Sequence, residues 1–174
     1  MTIDLEAWAK ERAVKYFMIS FTDLFGAQRA KLVPTAAIKG MQEEGAGFAG
    51  FATWLDMSPA HPDLFARPDP ASVIQLPWKT ETAWVAADCW MDDKLVAQAP
   101  RNTLKRLVGE ADAKGLRVKT GVEAEFFLTL PDGSAISDPA DMAEKPCYDQ
   151  QALLRRYDVI AEICDHMLAL GWKP

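Results

Sequence analysis

Residues 16–33 read YFMISFTDLFGAQRAKLV, two runs of strand-forming residues separated by a short turn. Aromatic and β-branched residues favour the pleated, half-buried surface of a strand. At the turn, Gly26 can adopt a positive φ without steric cost, and the Asp23 side chain can accept hydrogen bonds from the turn backbone. The stretch therefore predicts an antiparallel β-hairpin that begins a sheet.

Elements on both sides of this hairpin complete a small domain. We predict a helix over residues 4–13 with Asp4 as its N-cap, and a second over residues 35–44, capped by Thr35 and ended by Gly45. Strand signals then follow in three short segments, residues 72–76, 83–90 and 95–98. Together these elements predict a mixed sheet with a helix packed on it, which is an α+β fold.

Pro100 is the predicted boundary between a first domain, residues 1–100, and a second, residues 101–174. After it, Asn102 is expected to cap a helix that ends at Gly115. Further elements of the second part are a strand over residues 118–130, a turn at 131–133 and a helix over 150–170. Two helices with little sheet to cover predict that this second domain is incomplete.

The segment from Gly45 to Ser72 is rich in glycine and proline and carries no clear strand pattern. Its aromatic residues, Phe48, Phe51 and Trp54 among them, favour an ordered loop, because a mobile linker would not retain them. Such long connections in compact domains are often functional. The alternative is that these aromatic rings pack in the core, as most aromatic residues do.

Composition excludes several classes of protein. The 174 residues carry a formal net charge of -6 and no concentrated basic cluster, which argues against binding to nucleic acid. Three widely spaced cysteines argue against a disulfide framework and favour a reducing compartment. Neither a secretory leader nor an apolar run of membrane-spanning length is evident. We therefore expect a cytoplasmic protein without a membrane segment.

Two carboxylates interrupt the predicted strand VKTGVEAEFFLTL, residues 118–130. Because side chains alternate along a strand, Glu123 and Glu125 share one face, about 7 Å apart, opposite a wholly apolar face. Neighbouring acids repel, so a positive partner is expected if they are buried. One interpretation is a solvated face. The other is a site for Mg²⁺ or Mn²⁺, since such ions prefer oxygen ligands.

Several motifs together resemble the glutamine synthetase family along essentially the whole chain. GVEAEFFL at 121–128 and PRNTLKR at 100–106 resemble the opening of that family's catalytic domain. The hairpin at 16–33 and DLFARPDPASVIQLPW at 63–78 resemble segments of its β-grasp-like N-terminal domain. The resemblance is strongest to the bacterial type III branch, which includes glutamate–ammonia and glutamate–methylamine ligases.

This resemblance implies an ATP-dependent ligase that forms glutamine through a γ-glutamyl phosphate. It implies that Glu123 ligates the metal at the ATP phosphates and Glu125 the metal beside the glutamate carboxylate. It also implies a homo-oligomer of two stacked hexamers, in which a loop of one subunit closes the active site of its neighbour. The residues expected in that loop are Phe48, Ala49, Phe51, Trp54 and Asp56.

One departure from the family pattern concerns the acceptor amine. Members that use ammonia carry F-D-G-S-S where this chain reads FAGFA at 48–52, so Ala49 replaces the aspartate. A less polar pocket favours a small alkylamine such as methylamine as an alternative to ammonia. Asp56 is a substitute for the missing acid, or else an ordinary turn residue. We expect His61 and His166 to be structural.

The remaining catalytic residues of the family are expected beyond Pro174, so the 174 residues alone are predicted to be inactive. A different class of function stays open, because β-grasp sheets also serve as non-catalytic interaction modules.

Overall fold

The computed structural model describes residues 3–174 and divides the chain into two compact units, Met1–Val118 and Lys119–Pro174. The first unit contains, in chain order, α1 (Leu5–Glu11), β1 (Tyr16–Thr22), β2 (Gln28–Pro34), α2 (Ile38–Glu44), β3 (Ala46–Phe48), β4 (Leu64–Pro68), β5 (Ile74–Gln75), β6 (Thr82–Met91), β7 (Lys94–Leu95) and α3 (Pro100–Asp112). The second contains α4 (Gln150–Arg155) and α5 (Tyr157–Ala169). The predicted domain boundary near residue 100 stays a prediction, while the first compact unit itself continues to Val118.

Strand β6 organises the sheet, whose order is β2-β1-β6-β4-β3. Its first half pairs in parallel with β1, and its second half pairs antiparallel with β4. The short strands β5 and β7 also pair antiparallel with β6. On the far side of β1, β2 forms the predicted hairpin, with Thr22 opposite Gln28. This mixed sheet with helices confirms the predicted α+β class and its β-grasp-like first part.

The core lies between the sheet and the first two helices. Alternate residues of β1, Phe17, Ile19 and Phe21, are buried, as are Leu5 of α1 and Ile38 of α2. A fully buried side chain of this size contributes about 1.5–3 kcal/mol relative to an exposed one. The core also contains Cys89 of β6. Burial raises the pKa of this thiol to about 12, so the thiol is neutral.

Only one of the two predicted caps in the N-terminal half is correct. Asp4 caps α1, since its Oδ1 accepts hydrogen bonds from the amides of Glu6 and Ala7 at 2.9 and 3.1 Å. The Thr35 cap was wrong, because its hydroxyl donates to the Val14 carbonyl at 2.8 Å. Residues 35–37 form a 3₁₀ turn that precedes α2, and Gly45 ends this helix with a φ of 97°.

Asn102 was also wrongly predicted as a helix cap. Helix α3 begins earlier, with Pro100 in its first turn, where a missing amide proton costs nothing. The buried Asn102 side chain instead donates to the carbonyls of Cys89 and Val96, at 2.7 and 2.9 Å, and accepts from the Cys89 amide. It thereby binds α3 to β6 and to the segment that follows β7.

Two short strands were missed in the segment predicted to be irregular. Strands β3 and β4 pair antiparallel with each other, with Phe48 opposite Leu64. Three alternate residues of β4 are buried, namely Leu64, Ala66 and Pro68. Pro68 at the end of β4 made this alternation of buried and less buried residues hard to recognise as a strand, because proline is uncommon in strands.

The strand predicted over residues 118–130 does not form. Within the described residues, this segment forms only one isolated antiparallel β-bridge, from Thr129 to Ile136. No neighbouring strand is present there to form a ladder of hydrogen bonds with it. The turn that follows is confirmed, since Gly133 has a φ of 70° and the Asp132 carboxylate accepts from the Ser134 amide. A common face for Glu123 and Glu125 therefore stays a prediction.

The predicted helix over residues 150–170 is divided into α4 and α5 at Arg156. Asp149 caps α4, and Gly171 follows α5 with a φ of 75°. Among residues 3–174, no helix is both long enough and apolar enough to cross a bilayer.

We predict that Asn102→Ala lowers the free energy of unfolding by about 2–3 kcal/mol, because it leaves buried backbone groups of β6 without their partner. Urea denaturation followed by circular dichroism measures this. Thr103→Ala is the matched control, since the exposed Thr103 hydroxyl makes a single hydrogen bond to the Ala97 carbonyl. We expect about 1 kcal/mol or less for this control. Equal losses in the two variants would contradict the role assigned to Asn102.

Candidate functional site

Phe48 begins the loop that was predicted to reach a substrate, and it is anchored on the hairpin. Its ring meets Phe21 of β1 edge to face, with centroids 5.1 Å apart. On β2, the Lys31 ammonium lies 5.0 Å from the centre of the same ring and also donates to the Gly47 carbonyl. Of the two interpretations of these aromatic residues, core packing therefore describes Phe48.

The interior of the loop is ordered by its own contacts. A 3₁₀ turn at Gly50–Ala52 is closed by the buried Thr53, whose hydroxyl donates to the Gly50 carbonyl at 2.6 Å. A Cβ atom at Gly50 would lie 2.5 Å from the Met57 sulfur, so a larger residue there would have to displace the Met57 side chain. Leu55 is fully buried, and its carbonyl accepts from the Gln98 side chain at 3.0 Å.

Two aromatic residues of this loop are presented to the surface instead. Phe51 is 55% exposed and Trp54 is 60% exposed. Trp54 also has a φ of 51°, in the left-handed region that a bulky side chain rarely adopts. A non-glycine residue held there costs about 1–3 kcal/mol, and it persists only where its surroundings impose it.

The tip of the β1–β2 hairpin supplies those surroundings. The Phe25 ring meets Trp54 edge to face at 5.3 Å, and the Leu24 amide donates to the Trp54 carbonyl at 3.2 Å. This contact was not predicted from the sequence. The sequence feature that could have indicated it is the apolar pair Leu24 and Phe25 at the turn, because turn tips usually carry polar residues.

A buried carboxylate fixes the shape of the hairpin tip. Asp23 accepts from the amides of Phe25 and Ala27 at 2.9 and 3.0 Å, and Arg29 approaches through Nε and Nη2 at 2.8 and 2.7 Å. Burial opposes ionisation of Asp23 and is the largest single influence on its pKa. The Arg29 hydrogen bond and the two amides together outweigh burial and hold the pKa below its usual range.

The predicted metal ligands Glu123 and Glu125 lie in the second unit and are exposed. Within residues 3–174 neither carboxylate has a lysine or arginine partner within 4.0 Å, and no group of three or more metal-ligating side chains forms. Their role therefore stays a prediction. The loop residues Phe48, Ala49, Phe51, Trp54 and Asp56 all lie in the first unit, and Ala49 and Asp56 are exposed.

Two of the sequence motifs meet in an ion-pair network of the first unit. Arg101, from PRNTLKR, pairs with Asp69, from DLFARPDPAS, and with Asp88 of β6, where its Nε lies 2.9 Å from the carboxylate. Lys105 approaches the same two carboxylates. These motif residues therefore hold α3 on the sheet, and their contacts are structural.

Curated relatives match the chain over all or nearly all of its length. It is 74% identical over 174 residues to a glutamine synthetase of Rhizobium leguminosarum bv. phaseoli, and 73% identical to a glutamine synthetase of Rhizobium meliloti. A glutamate–methylamine ligase of Methyloversatilis universalis is 32% identical over 97% of the chain. The chain spans about 40% of the length of these relatives.

Solved structures give the same result. A structure described as a GmaS/ADP complex superposes on the whole chain with a TM-score of 0.96 at 59% identity, and the match covers 40% of that protein. An apo GmaS structure superposes with a TM-score of 0.95. No protein-family model matches the chain.

We predict that Asp23→Asn lowers the urea midpoint of unfolding at neutral pH, because the variant loses the charge that Arg29 and the turn amides stabilise. A carboxylate whose pKa is lower in the folded state stabilises the fold above its unfolded pKa, near 3.8. That stability is lost as the pH falls through the lower folded value. The difference between the proteins should therefore shrink below pH 3.8.

Asp63→Asn is the control, since Asp63 is exposed. Its urea midpoint is expected to follow that of the wild type across the pH range. A difference between wild type and Asp23→Asn that stays constant down to pH 2 would contradict the assignment.

Proposed function

The chain belongs to the glutamine synthetase family, and on this premise we propose that it is part of an ATP-dependent glutamate–ammonia ligase. In the proposed reaction the glutamate side-chain carboxylate attacks the terminal phosphate of ATP. Ammonia then displaces phosphate from the γ-glutamyl phosphate, and glutamine is released. The observation that carries the proposal is the 74% identity to a glutamine synthetase, which extends over every residue of the chain.

We assign Glu123 and Glu125 as ligands of Mg²⁺ or Mn²⁺. The donor set fits, because carboxylate oxygens suit hard cations, and neither side chain is engaged by a cationic residue within the described chain. Two carboxylates do not complete a coordination shell, so the other ligands would come from substrates, water and residues outside this chain. The bound ions would neutralise negative charge that develops during phosphoryl transfer.

A small alkylamine is the second candidate acceptor. Ala49 removes the acid expected in ammonia-using members, and the exposed loop leaves a less polar surface around it. The likeness to a protein described as GmaS, at 59% identity, and to a glutamate–methylamine ligase supports this candidate. Methylamine carries one more apolar group than ammonia, so an alanine suits it better than a carboxylate does.

The exposed residues Phe51 and Trp54 support the proposal that this loop reaches a neighbouring subunit in a cytoplasmic homo-oligomer of two stacked hexamers. Large apolar side chains presented to solvent are typical of contact surfaces. The competing function is a non-catalytic interaction module. The metal and acceptor experiments below separate the two, because a module would not form γ-glutamyl amides.

In the complete protein, we predict that Glu123→Gln and Glu125→Gln each lower kcat/KM at least about 100-fold, since each removes a charged metal ligand. Calorimetric titration with Mn²⁺ should show a parallel loss of affinity. Glu144→Gln is the control, because Glu144 is also an exposed glutamate of the second unit. Full activity in both ligand variants would contradict the metal assignment.

We predict that Ala49→Asp shifts the acceptor preference toward ammonia by about 10-fold in the ratio of kcat/KM values, a change of about 1.4 kcal/mol. The physical reason is that an anionic side chain favours the small ammonium ion. The assay follows phosphate release with ATP, glutamate and either amine. Ala52→Asp is the control, since Ala52 is an exposed alanine of the same loop. If the ratio of the two kcat/KM values is unchanged in Ala49→Asp, Ala49 does not line the acceptor site.

The 174-residue chain alone is predicted to form no γ-glutamyl amide, because the family's remaining catalytic residues lie outside it. Turnover by this chain at the rate of the complete protein would overturn this prediction and place the active site within the chain itself.

A further inference from the structure

We propose that Phe25, at the tip of the β1–β2 hairpin, is a positioning residue for the acceptor-amine loop of residues 48–57. This inference rests on the proposed function of that loop and adds to it the element that holds the loop in place. Phe25 lies outside the loop and acts through Trp54.

The hairpin holds the loop at two separate points. At the start of the loop, Phe48 packs edge to face on Phe21. Six residues later, Trp54 packs edge to face on Phe25, and its carbonyl accepts from the Leu24 amide. Because both anchors belong to one hairpin, the residues between them, including Ala49 and Phe51, follow the hairpin's position.

The second anchor contributes little buried area, so its role differs from that of a core contact. Phe25 is 77% exposed and Trp54 is 60% exposed, whereas the first anchor lies against the core. An edge-to-face pair nevertheless restrains the angle between two rings. The contact therefore sets a geometry more than it stabilises the fold.

The hairpin tip adds a restraint on the backbone of Trp54 to those from the buried neighbours Thr53 and Leu55. The φ of 51° at Trp54 is unfavourable for a bulky residue, so we expect the backbone to become more mobile when the contact with the hairpin tip is removed. The hairpin tip is suited to impose such a restraint, because the buried Asp23 carboxylate binds the amides of Phe25 and Ala27 and so fixes the tip itself.

The test compares Phe25→Ala with the conservative Phe25→Tyr in the complete protein. Leu32→Ala is the matched control, because Leu32 is an exposed apolar residue of the same hairpin, on β2. Two readouts are measured for each variant: hydrogen exchange at the Leu24 amide, and the steady-state constants for the acceptor amine and for glutamate.

For Phe25→Ala we expect exchange at the Leu24 amide to become about 10-fold faster, because the restraint on Trp54 is lost. We expect KM for the amine to rise about 10-fold, with kcat and KM for glutamate changing less than about 2-fold. Phe25→Tyr keeps the ring and should restore both values. Leu32→Ala should match the wild type.

Unchanged exchange and unchanged amine KM in Phe25→Ala would overturn the inference. Faster exchange with an unchanged amine KM would also overturn it, since Phe25 would then hold Trp54 without consequence for the acceptor. If the wild-type complete protein forms no γ-glutamyl amide, the proposed function itself fails. The exchange measurement then still decides whether Phe25 holds Trp54.

Discussion

The buried Asp23 carboxylate holds the shape of the β1–β2 hairpin tip, and the loop that carries Trp54 is positioned against that tip. The Asp23 side chain is fully buried, but its oxygens accept hydrogen bonds from two turn amides and lie against two nitrogens of the Arg29 guanidinium. A buried charge without such partners would be strongly destabilising. The observed turn conformation is stabilised because it brings these donors together. That conformation directs Leu24 and Phe25 toward the loop that carries Trp54.

Some residues of the family-like motifs have structural contacts, and others are candidates for the chemistry. PRNTLKR resembles the opening of the family's catalytic domain, and within this motif Arg101 and Asn102 bind α3 to the sheet through Asp69, Asp88 and the backbone of β6. The residues proposed to take part in the chemistry lie in other segments of the chain. They are the exposed loop around Ala49 in the first unit and, in the second, the paired carboxylates of GVEAEFFL.

Local signals in the sequence predicted the elements whose determinants are close in the chain. The hairpin, the Asp4 cap and the turn at Gly133 depend on residues two to six positions apart, and all three were confirmed. Predictions failed where a distant partner decides the outcome. Thr35 and Asn102 bond to remote backbone groups, and the strand at 118–130 has no adjacent strand among the described residues. The contact between Phe25 and Trp54 spans 29 positions and has no periodic signal.

The most direct test of this account is a double-mutant cycle between Phe25 and Trp54 in the complete protein, with each residue changed to alanine singly and together. The quantity measured is kcat/KM for the acceptor amine. If the hairpin tip positions the loop through this ring pair, the two changes are not additive, and the coupling is about 0.5–1.5 kcal/mol. Additive effects would contradict the claim that the two residues act as one unit.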